Sequence, residues 1–206
     1  DILINTKQID PTIRIKSYEL LAKICTEKNK IEKAIKIHKN ALKYIKNMDN
    51  WKLKAKILNT IALLYNNLKD VNNAIAYQRE AIKLVEHAGD QKYLAKIQRN
   101  MARFYTLNGE HVKSLRLHKE SMKLQREVGD DIGIARSLET LAEDLEYEEQ
   151  FDKAIEKYEE AIEIYKKLGL KREVERLKRG IDKAVKWKDD IDAYDRYYMT
   201  DLNGKD

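Results

Sequence analysis

The chain matches itself at a shift of 40 residues, and that period constrains the fold more than any other feature it has. Small residues recur in register: Ala22, Ala62, Ala102 and Ala142 form one column, Ala34, Ala74, Ser114 and Ala154 a second, Ala41, Ala81, Ser121 and Ala161 a third. Larger apolar residues keep the same beat, with Leu21, Ile61, Met101 and Leu141 in one column and Leu42, Ile82, Met122 and Ile162 in another. A small residue lets two helix backbones approach, and its large neighbour fills the space alongside, so each period reads as two antiparallel packed helices. One proline and seven glycines in 206 residues leave few places where a helix must stop. Abundant Lys, Glu, Leu, Ile and Ala favour helix over strand. The expected class is all-α: a right-handed superhelical solenoid of antiparallel helix pairs, each repeat stabilised mainly by its neighbours.

Punctuation divides the repeats. Gly89-Asp90 and Gly129-Asp130 end one repeat and open the next, glycine accepting the left-handed C-terminal position and aspartate capping the following helix. Asp49-Asn50 and Gly169-Leu170 stand at the other two boundaries, and the turn inside each repeat falls near Asn29, Lys69, Gly109 and Glu149. Helix pairs are expected at 12–47, 52–87, 92–127 and 132–168, making four repeats over residues 11–170. Residues 1–10 are expected to be the tail of a preceding helix or an N-terminal cap, with the array continuing upstream. Residues 171–189 read as a more highly charged capping helix, and residues 190–206 as an aromatic C-terminal tail.

Charge and composition narrow the function classes. Lys plus Arg total 41 and Asp plus Glu 35, and both signs are mixed along nearly every segment. That describes a solvated surface rather than the concentrated basic stripe of a nucleic-acid reader. No apolar run approaches the roughly 18 residues of a membrane span. Cys25 is the only cysteine, which rules out an intrachain disulfide and points to a reducing intracellular setting.

The columns also carry a family pattern: I-A-L-L-Y at 61–65, M-A-R-F-Y at 101–105, A-I-A-Y-Q at 74–78 and A-I-E-K-Y at 154–158. Over about 160 residues the chain resembles the tetratricopeptide repeat. Its 40-residue period, its G-D junctions, and His38 and His118 in A-I-K-I-H-K-N-A-L and S-L-R-L-H-K-E-S-M are similar to the repeats of kinesin light chain and spindle-orientation adaptors. The resemblance implies that first helices line a concave groove that holds a peptide or helix of another protein. It also implies a cytoplasmic location, with cytoskeletal or ciliary association.

In that groove one column is basic throughout: Lys16, Lys56, Lys96, Arg136 and Arg176. Two readings stay open. The column is either a ladder of cations facing an acidic segment of a partner, or a set of charges each paired with an acid of a neighbouring helix. Thr60, Asn100 and Thr140 share a second column beside Asn59 and Arg99, where amides can bond the backbone of an extended peptide. Asn100 aligns with the asparagine of the adaptors' N-L-G-x-x-Y. The family's carboxylate clamp for chaperone C-termini is not expected, because Glu19, Lys23 and Thr60 occupy its places and Lys96 alone fits. Lys96, Arg99 and Arg103 make the third repeat basic, while Glu139, Glu143, Asp144, Glu146, Glu148 and Glu149 make the fourth acidic, so a partner with charges of both signs would be oriented.

Nothing reads as catalytic. His38 and His118 are expected to pack between helices, Cys25 fills the place of Tyr65 and Tyr105, and no phosphate loop, metal motif or supported acid pair is present. No cofactor is expected. Trp187, Tyr194, Tyr197, Tyr198 and Met199 are expected to fold back over the cap or to mediate self-association. The leading reading is therefore an interaction scaffold using Lys16, Lys56, Asn59, Lys96, Arg99, Asn100, Arg103 and Arg136. The alternatives are a peptide-sensing regulatory repeat domain of a longer protein and, less favoured, an RNA-binding repeat whose affinity would fall steeply with salt.

Overall fold

The computed structural model describes residues 10–203, with side chains to residue 194. The expected tail or cap over residues 1–10 lies, but for Asp10, outside the described residues. Among the described residues the chain forms nine α-helices: α1 (Pro11–Glu27), α2 (Ile31–Tyr44), α3 (Trp51–Asn67), α4 (Val71–Ala88), α5 (Gln91–Leu107), α6 (His111–Glu127), α7 (Asp131–Tyr147), α8 (Phe151–Lys167) and α9 (Lys171–Asn203). None is long and apolar enough to cross a membrane. Two compact units part between Asn108 and Gly109. In the first, each of α1 to α5 packs on the next; in the second, each of α6 to α9 does.

The small columns make this packing possible. Every one of the twelve Ala and Ser positions is buried, and most have no accessible surface at all. Around them Ile35, Ile45, Ile57, Ile61 and Leu64 form one core of the first unit, and Leu58, Val85 and Ile97 another. Leu138, Tyr158, Ile162, Tyr165, Val174 and Leu177 form that of the second. Leu21 departs from its column: it is exposed, whereas Ile61, Met101 and Leu141 are buried.

All four intra-repeat turns pass through the left-handed region, at Asn29 (φ 55°), Lys69 (63°), Gly109 (75°) and Glu149 (59°), although only one is glycine. What holds the other three there is the chain reversal itself. The amide after each turn residue reaches back to a carbonyl of the last helical turn, as from Lys30 N to Cys25 O (2.8 Å), Asp70 N to Tyr65 O (3.0 Å) and Gln150 N to Leu145 O (2.8 Å). Between repeats, Asp90 accepts from Tyr93 N at 2.9 Å and Asn50 from Leu53 N at 3.0 Å. Asp130 differs, making no side-chain cap bond to α7. A Cβ on Gly133 would lie 2.7 Å from its Cγ, so glycine leaves room for that carboxylate. The first repeat lacks a boundary glycine, and α2 stops at Tyr44, short of the expected 47.

The expected break near residue 189 is absent: α9 runs unbroken for 33 residues, so the aromatic segment begins as more helix rather than as a separate tail. Neither Gly nor Pro occurs between Gly180 and Asn203, which leaves nothing to stop propagation. Trp187 and Tyr194 are exposed on it. The side chains of Tyr197, Tyr198 and Met199 lie outside the described residues.

Candidate functional site

First helices meet across neighbouring repeats through residues 37 positions apart. In the first unit Lys56 Nζ donates to Glu19 Oε1 at 2.7 Å, and in the second Arg176 grips both oxygens of Glu139, with Nη2 to Oε2 at 2.8 Å. At these two rungs the basic column is paired internally. Its middle differs. Asn59 holds the place that Glu19 and Glu139 hold in their own repeats, so no acid stands 37 residues before Lys96. Lys96 is exposed on α5 and makes no ion pair among the described residues. Lys16, at the outer end, is exposed on α1. It adds to the hold on Asp10, whose carboxyl is kept below the usual carboxylate range first by the Thr12 amide. Arg136 is exposed on α7 in the second unit, and its charge opposes the rise that burial and then Glu139 impose on the pKa of the Tyr165 hydroxyl.

Asn59 is buried and faces inward. Its Oδ1 accepts from Asn100 Nδ2 at 2.9 Å and from Gln78 Nε2 at 3.1 Å, and the same Gln78 nitrogen reaches the Ile97 carbonyl at 2.7 Å. The amides expected to grasp a peptide backbone thus tie α3, α4 and α5 together, with Asn100 half-buried at the surface edge of the knot. Thr60 and Thr140 hydroxyls bond back to the carbonyls of Lys56 and Arg136, each at 2.9 Å. Arg99, half-buried, and Arg103, exposed, lie on α5 beside Lys96, and both are engaged in interactions of their own.

Sequence reasoning missed the column His38, Gln78, His118 and Tyr158 as a source of polar heads for the first helices. All four are buried. His118 Nε2 lies 2.8 Å from Asp144 Oδ2, and burial, then the charge of Glu146, pushes the Tyr158 hydroxyl well above the usual tyrosine range. Asp144 and Glu146 were expected in an acidic groove wall. Instead Asp144 is buried in the column of Leu64 and Phe104, and Glu146 is half-buried, its carboxyl pushed above the usual range chiefly by burial. The signals available were spacings: 37 residues for Glu19–Lys56 and Glu139–Arg176, and 26 for His118–Asp144.

His38 gives the first unit a pH dependence. Burial pushes its pKa below the ordinary histidine value, Glu19 opposes the shift and Lys56 adds to it. The unfolded chain therefore binds this proton more readily than the folded one, so the contribution of His38 is complete above the unfolded pKa and is lost as pH falls below it. Thermal melts between about pH 7.5 and 5.5 should show a decline in stability that His38→Gln, the residue Gln78 supplies in the next repeat, makes shallower. An unchanged slope would remove His38 as its source.

Tetratricopeptide repeat family models match residues 55–84 and 93–167. Among curated proteins none matches by sequence. BtubC (BKLC) from P. vanneervenii superposes with a TM-score of 0.63 at 15% identity, over 86% of this chain and 81% of that one. The TPR-like repeats of a kinesin light chain from Podosopora anserina give 0.63 at 16% identity, over 91% and 98%. A Rap protein complexed with Competence and Sporulation Factor gives 0.57 at 16% identity, over 85% of this chain and 53% of its own. At such identities the likeness is one of fold. The family matches together span just over half of the 206 residues and fall on the columns that build the helix pairs, and on that ground the chain belongs to the tetratricopeptide repeat family.

Proposed function

We propose that the chain is a protein-interaction scaffold whose first unit accepts an acidic side chain of a partner segment at Lys96. The observation that carries the reading is the missing acid. Where Glu19 neutralises Lys56, the equivalent Asn59 has its oxygen committed to Asn100 and Gln78, which leaves Lys96 exposed with its ammonium in solvent. A carboxylate brought by a partner would take the place that the repeat itself leaves empty, and Asn100 and the Arg99 and Arg103 side chains edge the same helix. Lys56, already held by Glu19, contributes less. Lys16, in the same unit, is a secondary contact.

The likeness to a Rap protein complexed with Competence and Sporulation Factor, of which this chain spans about half, favours one variant of the reading: a repeat domain that senses a signalling molecule within a longer protein. Both variants place the ligand on the first-helix face.

The test compares wild type with Lys96→Glu in affinity capture from the source cell, after circular dichroism shows equal helicity. Each captured protein is then assayed as purified partner at two salt concentrations. A partner lost on charge reversal, and regained when its own contacting acid is changed to lysine, establishes the contact. Capture unaffected by Lys96→Glu sinks it. An isolated exposed pair is worth at most about 1 kcal/mol, so reversal to Glu, which adds repulsion, is more informative than Lys96→Ala.

A further inference from the structure

One repeat is written in a different order from the rest. Second helices open with an apolar residue followed by a polar one: Ile31-Glu32, Val71-Asn72 and Phe151-Asp152. In α6 the order is reversed, His111-Val112. The apolar residue of this pair packs inward elsewhere; Phe151 is buried, and Ile31 lies against the first-unit core. His111 instead turns to the rim, its Nδ1 2.6 Å from Glu148 Oε1, and Val112, where Glu, Asn and Asp stand in the other repeats, is 86% exposed. A further turn along, Leu115 is 45% exposed although its counterparts Ile35 and Ile75 are buried. A β-branched apolar residue in the first turn of a helix does nothing for the helix, where acidic and polar residues are favoured.

The reversal coincides with a cavity of about 460 Å³ in the second unit, between α6 and α8 and floored by α7. Val112, Leu115, Leu141 and Leu145 supply its apolar surface. Its charged rim is uneven. Glu148 faces His111, and Lys157 is held by Glu156 and Glu160, but Lys153 donates, among the described residues, only to the neutral Gln150 oxygen, at 2.8 Å. Protein interiors are close-packed, and a largely apolar hollow of this size beside exposed apolar residues is the form a binding socket takes.

We propose that this hollow is a docking socket for a partner protein segment that inserts one large apolar side chain next to an acidic residue. The incoming apolar group does for α6 what Phe151 does for α8, and the adjacent carboxylate meets Lys153. Two features commit the occupant to a protein segment rather than a free small molecule: Val112, the outermost of the apolar lining residues, is 86% exposed, so an occupant that covers it extends beyond the hollow as a peptide does, and the sequence type that fits such a place is already present as Phe151-Asp152. The site is independent of the reading of Lys96, which belongs to the other unit.

The test uses the full 206-residue chain and 8-anilinonaphthalene-1-sulfonate, an aromatic body with one anionic group, as fluorescent probe. Saturable binding is expected. His111→Phe combined with Val112→Asp restores the order of the other three repeats, fills the hollow, and should raise Tm while weakening probe binding by about tenfold or more. Leu115→Gln, at a half-exposed position, should weaken it without changing helicity. N-acetyl-Phe-Asp-amide should displace the probe at lower concentration than N-acetyl-Phe-Lys-amide. Equal displacement by the two dipeptides would overturn the role of Lys153. Probe binding unchanged in the His111→Phe/Val112→Asp chain would overturn the socket. Decanoate displacing better than the Phe-Asp dipeptide would overturn the assignment to a protein segment.

Discussion

Phe104→Ala should lower the free energy of unfolding by about 3–5 kcal/mol, a large share of what a chain of this kind has. Phe104 has no accessible surface, so truncation forfeits the whole transfer free energy of the ring. It also opens a space that cannot close easily. Ala95 and Ala102, both on α5 and fully buried, keep that helix close to its neighbours, and a helix pinned by small residues has little freedom to sink into a cavity. Urea unfolding followed by circular dichroism checks the prediction. The midpoint should drop with the slope unchanged, since the surface exposed on unfolding is nearly the same. A loss under about 1 kcal/mol would mean that the column relaxes and that the small residues are not pinning it. Val112→Asp, also an apolar-to-smaller change in contact area, serves as the contrast: at a site already 86% exposed it should cost almost nothing.

That contrast shows where sequence reasoning succeeds. A 40-residue period in residue size reports backbone distance, because only Ala and Ser fit where helices touch, and all twelve such positions are indeed buried. The turns at Asn29, Lys69, Gly109 and Glu149 were legible for the same reason: register locates them even where the residue has no preference for a positive φ. The α9 continuation was not, because a change in composition from charged to aromatic suggested a boundary while the residues between Gly180 and Asn203 contain nothing that ends a helix.

The polar chemistry was harder to read. A period in hydrophobicity says which positions face inward, and polar residues are then assigned outward by default. Asn59, Gln78 and Asp144 break that default, because their neighbours supply bonding partners: the Asn59 oxygen accepts twice, and Asp144 meets an imidazole. Single columns could not reveal this; pairs of columns at offsets of 26 and 37 residues do. Such an offset turns Lys16, Lys56, Lys96, Arg136 and Arg176 from five similar cations into unlike cases, with Lys56 and Arg176 neutralised by Glu19 and Glu139, and Lys96 opposite the place of an asparagine.

Asp144→Ala should cost about 3 kcal/mol or more, although on the sequence pattern it looked like one acid among several on a solvated face. The residue is 5% exposed and His118 is fully buried, so removing the carboxylate strips His118 Nε2 of its partner while Nδ1 has none among the described residues. An imidazole with both nitrogens unbonded in a dry site carries its full desolvation cost. Replacing both members is a different matter. His118→Leu with Asp144→Leu returns the second position to the character of Leu64 and Phe104, removes both polar groups at once, and should recover most of the stability, since buried pairs are often matched by well-packed apolar ones. Wild type, His118→Leu, Asp144→Leu and the double Leu variant form a double-mutant cycle whose coupling should exceed about 1 kcal/mol. If the single Asp144→Ala variant unfolds within about 0.5 kcal/mol of wild type, the carboxylate is hydrated in solution and the His118 contact is not holding α6 to α7. If instead the double Leu variant is as unstable as the single, the site is selected by shape, and the polar pair is the only filling that its walls accept.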